Sequence, residues 1–228
     1  FESRGLGDVY KRQVDIGHNN TNLINIYGSY YNINGVSTFT TADAADKIKI
    51  EEGTTIKTNG TDISFVRGDL LLGEGHDLTI TAGAGDVTLT DVGGVHDQVL
   101  DVEGATVTAA VIGGGQEIKS VKLDGSTKVI LGGNITTSNT TGNNIDIDGN
   151  AEIGAGITLD TSANNGTIDF SAKIDSASGA NNALTLTTGA GSISVGDAIG
   201  SGVAIGALKI NDNVAGAATI ALSGIGDS

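Results

Sequence analysis

The sequence predicts an all-β chain wound as a parallel β-helix, that is, a β-solenoid. Three observations carry this. Short apolar-x-apolar triplets recur along the chain, runs of Gly, Asn, Asp, Ser and Thr separate them, and from Ile145 on the distance from one triplet to the next but one stays nearly constant.

The triplets come in the order Ile48/Ile50, Ile63/Phe65, Leu70/Leu72, Leu78/Ile80, Val87/Leu89, Leu100/Val102, Val121/Leu123 and Val129/Leu131. They continue as Ile145/Ile147, Ile157/Leu159, Ile168/Phe170, Leu184/Leu186, Ile193/Val195, Leu208/Ile210 and Ile220/Leu222. Alternation with period two places both apolar members on one face of a strand. β-Branched side chains suit that pleated surface, and Gly and Asn tolerate the backbone conformations of tight corners. No stretch keeps a 3.6-residue period. Ala42 to Lys49 is long enough for one helical turn, and an isolated helix of that length is marginal in water.

The spacing from triplet to next-but-one triplet is 23 residues for Ile145 to Ile168, 27 for Ile157 to Leu184, 25 for Ile168 to Ile193, 24 for Leu184 to Leu208 and 27 for Ile193 to Ile220. This predicts a coil of two main strands per turn, each stacked in parallel on the turn below, with a continuous apolar column inside. Nine turns at about 4.8 Å each would make a rod about 40 Å long. The absence of Pro leaves every backbone N–H free to join a ladder. A longer similarity is superimposed. Leu78-Thr-Ile-Thr-Ala-Gly-Ala-Gly-Asp-Val-Thr-Leu89 matches Leu184-Thr-Leu-Thr-Thr-Gly-Ala-Gly-Ser-Ile-Ser-Val195 at an offset of 106, with Asn59-Gly-Thr61 and Asn165-Gly-Thr167 upstream. Residues 14–228 therefore read as one solenoid region of two long repeats of about 106 residues. A β-sandwich is the rival, since it too places short strands every 8–12 residues.

Composition narrows the function. There are 36 Gly but no Pro or Gly-X-Y period, which excludes a collagen triple helix. There is no Cys, hence no disulfide, thiol nucleophile or thiolate metal site. The net charge is −15, and outside the first thirteen residues 9 bases face 25 acids. Such a surface repels phosphate backbones and anionic lipid, so neither nucleic acid nor a membrane surface is an expected partner. No apolar run is long enough for a membrane-spanning helix. Residues 1–13 are set apart as a lead-in: Ser3 to Gln13 (SRGLGDVYKRQ) fit nothing that follows and resemble translated sequencing-adapter read-through. With neither an initiator Met nor a signal peptide, the chain is expected to be a fragment of a larger protein.

The Leu184 to Val195 block, followed by Gly196-Asp-Ala-Ile-Gly200 and Ile205-Gly-Ala-Leu-Lys-Ile210, resembles repeats of large bacterial exoproteins of the filamentous-haemagglutinin-like and autotransporter-type adhesins. The resemblance spans about Ile48 to Leu222. It implies a right-handed parallel β-helix, export to the bacterial cell surface or beyond it, and a non-catalytic structural or adhesive role. Its implied partners are host or neighbouring-cell glycans or proteins, and the adjacent repeats on which its coils stack. The secretion domain and membrane barrel of such proteins are not present in the sequence.

Catalytic motifs are absent. His18, His76 and His96 lack metal-ligand spacing, and there is no nucleophile elbow and no P-loop. The one candidate metal site is Asp146 and Asp148, in Asn144-Ile-Asp-Ile-Asp-Gly149, where alternating oxygen donors precede a Gly as in a calcium loop. Ala155 occupies the position of the expected bidentate Glu, and within a strand both Asp side chains would face water. A calcium-stabilised secreted module is therefore one alternative function. A carbohydrate-active β-helix, lyase or glycosidase, is another. It would need paired carboxylates across a cleft, while the four Tyr all lie in the first 31 residues and Arg67 is the sole Arg past the lead-in. No cofactor is expected.

Overall fold

The computed structural model describes residues 13–16, 22–211 and 218–226. Residues 1–12, and with them most of the lead-in, lie outside the described residues; Gln13 opens the first strand, Gln13–Ile16. The fold is a β-solenoid of about eight turns. Every strand pairing among the described residues is parallel, which removes the sandwich. At about 4.8 Å per rung, eight turns span about 38 Å.

Each turn carries three strands, not two. Ladder I runs through Gln13–Ile16, Val36–Thr40, Ile63–Val66, Val87–Leu89, Ala151–Ile153 and Ile174–Ser176. Ladder II runs through Leu23–Ile26, Lys47–Ile50, Asp69–Leu72, Val92–Gly93, Ile135–Thr136, Ile157–Asp160, Leu184–Thr187 and Leu208–Ile210. Ladder III runs through Tyr30–Ile33, Thr54–Thr58, Leu78–Thr81, Ile145–Asp148, Ile168–Phe170, Ile193–Ile199 and Ile220–Ile225. Four strands serve ladders III and I in succession: Val99–Ala109 and Ser120–Leu131, bending at Gly104 and Gly125 where the register shifts, and Ile193–Ile199 and Ile220–Ile225, whose Ile199 and Ile225 continue ladder I above Ile174. The two-strand expectation rests on spacings from the carboxy-terminal half, where the ladder I triplets are impoverished: Ala151-Glu-Ile153 and Ile174-Asp-Ser176 offer one small or polar inward residue each.

All five spacings read from the sequence are Cα partners in the ladders: Ile145 with Ile168, Ile157 with Leu184, Ile168 with Ile193, Leu184 with Leu208, and Ile193 with Ile220. Inward side chains form one apolar column, with Ile48, Ile56, Leu78, Leu100, Leu123, Ile147 and Leu186 fully buried. Phe39 and Phe65 stack on successive rungs, 4.8 Å apart at 11°. Lys47 to Ile50 is a strand rather than part of a helical turn, and the one helix among the described residues is the 3-10 turn Ser162–Asn164.

The 106-residue similarity does not follow the phase of the coil. Leu78–Thr81 lies in ladder III and Leu184–Thr187 in ladder II. What recurs is a pair of stacked corners. Gly83 and Gly189 both take positive φ, 62° and 64°. Gly85 N–H donates to the Ala82 carbonyl at 3.1 Å and Gly191 N–H to the Thr188 carbonyl at 3.0 Å. Beneath them lie the corners Asn59-Gly-Thr61 and Asn165-Gly-Thr167, so close that a Cβ on Gly85 would meet the Thr61 carbonyl at 2.3 Å and one on Gly191 the Gly166 oxygen at 1.9 Å.

Candidate functional site

Asp146 and Asp148 sit on Ile145–Asp148, whose burial alternates with Ile145 and Ile147 inward and the two Asp outward. Their neighbours in register extend the surface. Asp101, Lys122, Asp146 and Asp169 form one outward column; Glu103, Asp124 and Asp148 form the next. Six carboxylates thus surround one lysine on the flat face of ladder III. Burial pushes the Asp146 carboxyl above its ordinary range; Lys122 pulls it down, while Asp169, Asp148 and Asp124 push it up again. Asp148 is further engaged by the Ser171 hydroxyl, which donates to its Oδ1 at 2.6 Å. No group of three His, Asp or Glu side chains among the described residues is arranged to hold a metal ion.

Several other Asp and Asn have a structural task that the sequence alone did not disclose. Corner side chains accept backbone N–H groups from the next turn: Asp62 from Asp86 at 2.9 Å, Asp77 from Val99 at 2.7 Å, Asp86 from Thr106 at 2.9 Å and Asp91 from Val111 at 3.1 Å. Asn134, Asn144 and Asn165 do the same for Thr158, Thr167 and Ala190. At a corner the chain leaves the ladder, and a backbone N–H that loses its ladder acceptor is open to another. A short side chain one rung below supplies it. Asp175 is the most engaged, taking Gly202 N–H at 2.8 Å and Val203 N–H at 3.1 Å on Oδ1 while Lys173 lies 2.8 Å from Oδ2. Burial works against its ionisation, but Lys173 and the two N–H donors outweigh that and hold the carboxyl below its ordinary value.

One groove of about 590 Å³ opens where ladder II narrows. There the ladder shrinks to the two-residue strand Val92–Gly93, then to the single bridge at Ile112. Leu71 and exposed Val95 line its apolar part; Glu51, Glu74, His76 and Gln116 supply polar groups. Glu51 is paired with Lys49 at 2.8 Å. Val95 N–H is held at 2.7 Å by Oε1 of the fully buried Gln98. Beside the groove His96 adopts φ 88° and its Nδ1 lies 3.4 Å from Glu117. The sequence carried a trace of this place: the triplets lapse between Val102 and Val121, around Gly113-Gly-Gly115. His76 and His96 both fall in corner loops, His18 lies outside the described residues, and Arg67 reaches the Ala42 carbonyl at 3.3 Å. No helix among the described residues is long and apolar enough to cross a membrane.

Compared with known proteins, the chain matches no protein-family model, no curated protein and no solved structure.

Proposed function

We propose that this chain is a non-catalytic structural or adhesive segment of a large secreted or surface-exposed bacterial exoprotein, serving as a rigid stalk or as an adhesive face. The observation that supports it best is the three-ladder parallel coil. Each turn stacks directly on the next, corner carboxylates and amides join successive turns, and the ordered outward columns carry charge rather than a converging set of reactive groups. A solenoid of this kind transmits length, because each turn contacts chiefly its neighbours and adds one fixed rise. The partners that suit this reading are glycans or proteins on a host or neighbouring cell, met along the polar sides of the rod.

The test is to display the chain on a cell surface between an anchor and an epitope tag, as one copy and as two in tandem. The epitope should rise by about 38 Å per copy, and bacteria bearing it should hold cells or glycan arrays better than the anchor alone. Unchanged height and binding would overturn the proposal, as would release of reducing ends or unsaturated sugars from a polysaccharide panel.

A further inference from the structure

Three Asn-Gly steps stand at corners of the coil: Asn34-Gly35, Asn59-Gly60 and Asn165-Gly166. In such a step the glycine nitrogen can attack the side-chain carbon of the asparagine before it, because glycine puts no Cβ in the way. The reaction has three requirements. The glycine N–H must be free to give up its proton, the side-chain amide must be free to turn towards it, and the backbone between them must be able to rotate. The dipeptide is the same at all three corners, so the fold sets them apart.

At Asn165 the fold closes the route. Gly166 is buried, and its N–H donates to the Thr161 carbonyl at 3.0 Å. Asn165 Oδ1 accepts the Ala190 N–H of the next turn at 2.8 Å, and Asn165 takes φ 54° as the cap of the 3-10 turn Ser162–Asn164. At Asn34 the asparagine is exposed, but Gly35 is buried and its carbonyl accepts the Ser37 hydroxyl at 3.4 Å. At Asn59 nothing is closed. Asn59 and Gly60 are both exposed, and among the described residues no hydrogen bond engages the Asn59 side chain or the Gly60 N–H. The turn above leaves room: a Cβ at Gly60 would meet nothing nearer than the Ala84 Cβ at 3.6 Å. The flanks are nevertheless anchored. The Thr58 hydroxyl donates to the Thr61 carbonyl, the Asp62 carbonyl accepts the Ser37 N–H at 2.9 Å, and Asp62 Oδ1 accepts the Asp86 N–H at 2.9 Å. Asn59-Gly60 is thus a free span between fastened ends.

We propose that Asn59-Gly60 is a site of spontaneous covalent modification, an intramolecular deamidation with water as its only co-reactant. The Gly60 nitrogen bonds to Asn59 Cγ, and its proton passes to Nδ2, which leaves as ammonia. The product is a cyclic imide. Water then opens the ring at one of its two carbonyl carbons, and the Gly60 nitrogen takes back a proton. Opening at Cγ leaves aspartate at position 59. Opening at the main-chain carbonyl leaves isoaspartate, with the backbone rerouted through the side chain and lengthened by one methylene. Either product adds a carboxylate to a corner that already holds Asp62, and the second alters the path between Thr58 and Asp62 that fastens this turn to its neighbours. The inference holds wherever the protein resides and whatever it adheres to.

The test follows all three steps in one sample. The full chain is held in mildly alkaline buffer, with circular dichroism confirming that it stays folded, and in parallel in guanidinium. Peptides covering each step are mapped by mass spectrometry against time. In guanidinium the three asparagines should convert at similar rates. In the folded chain Asn59 should convert at close to its guanidinium rate, with isoaspartate among the products. Asn165 should be slower by about tenfold or more, the factor supplied by two hydrogen bonds that must open first. Asn34 should lag Asn59 as well. Asn59→Gln should stop the reaction at that corner and leave the other two rates unchanged. A folded-state rate for Asn59 no faster than that of Asn34 or Asn165 overturns the proposal.

Discussion

Gly166→Ala tests the stacked corners most directly. A Cβ at Gly166 would lie 1.6 Å from the Asn143 carbonyl oxygen of the corner below, where ordinary contact begins at 3.4 Å. The obstacle is backbone, so relief requires the two corners to part by nearly 2 Å. Three bonds tie them at that place: Ile145 N–H to the Thr167 carbonyl at 3.0 Å, Thr167 N–H to Asn144 Oδ1 at 3.1 Å, and the Thr167 hydroxyl to the same oxygen at 3.0 Å. Losing these at about 1 kcal/mol each, or retaining them under an overpacking strain of about 1–3 kcal/mol, sets the cost at about 1–3 kcal/mol. For a chain of this size that lowers Tm by roughly 2–12 °C. Two substitutions calibrate the result. Gly53 has open space around it and no positive φ, so Gly53→Ala should be neutral or stabilising by about 0.4–1 kcal/mol. Gly179 has the same space but φ 76°, so Gly179→Ala should cost only backbone strain, about 1–2 kcal/mol. Thermal unfolding by circular dichroism gives the order. Amide exchange read peptide by peptide locates the damage, since a stacked array need not unfold all at once. Should Gly166→Ala melt alongside Gly53→Ala, the close approach of successive turns at this corner is wrong.

Ile147 is fully buried between its ladder neighbours Leu123 and Phe170; Ile147→Ala should cost about 2–5 kcal/mol, and denaturant titration against outward Asp148→Ala should separate the two by most of that amount. The two perturbed carboxylates should give opposite pH signatures. Asp175 has a lowered folded pKa, so its stabilisation is present above its unfolded value near 3.8 and is lost as pH falls through the folded pKa; Asp175→Asn should lower Tm at pH 7 and lose that difference in acid. Asp146 has a raised folded pKa, so its ionised form is a burden at neutral pH that disappears once it is protonated. Asp146→Asn should raise Tm at pH 7 and make no difference below pH 3.8, and Tm of the variants followed from pH 7 to 3 checks both signs.

Much of the architecture was legible in the chain itself. Ile145/Ile147 and Ile168/Phe170 declared their inward faces by alternation alone, and the intervals between such triplets were the ladder registers, because a parallel coil returns to the same face after one turn. The candidate site was less legible. Asp146 and Asp148 could be placed outward, but not beside Asp124 and Asp169, which are brought in only by the turns on either side. The groove residues Glu51, Glu74 and Gln116 come from three different turns, and only Gln116 falls in the lapse of the triplets between Val102 and Val121.

By itself, then, the sequence determined that the chain is made of strands, which side chains face inward, and how long a turn is. Those properties depend on residues near one another along the chain. Tertiary structure decided that a turn has three sides, that the 106-residue similarity recurs on a different ladder, and that corner Asp and Asn side chains fasten one turn to the next. The ladder strands return after 20 residues between Val87 and Val107 and after 27 between Ile157 and Leu184, and the difference is absorbed in corner loops. Which corner lies over which therefore follows from stacking across some twenty residues and not from any local pattern, and the bonds that join the corners exist only once the coil has closed.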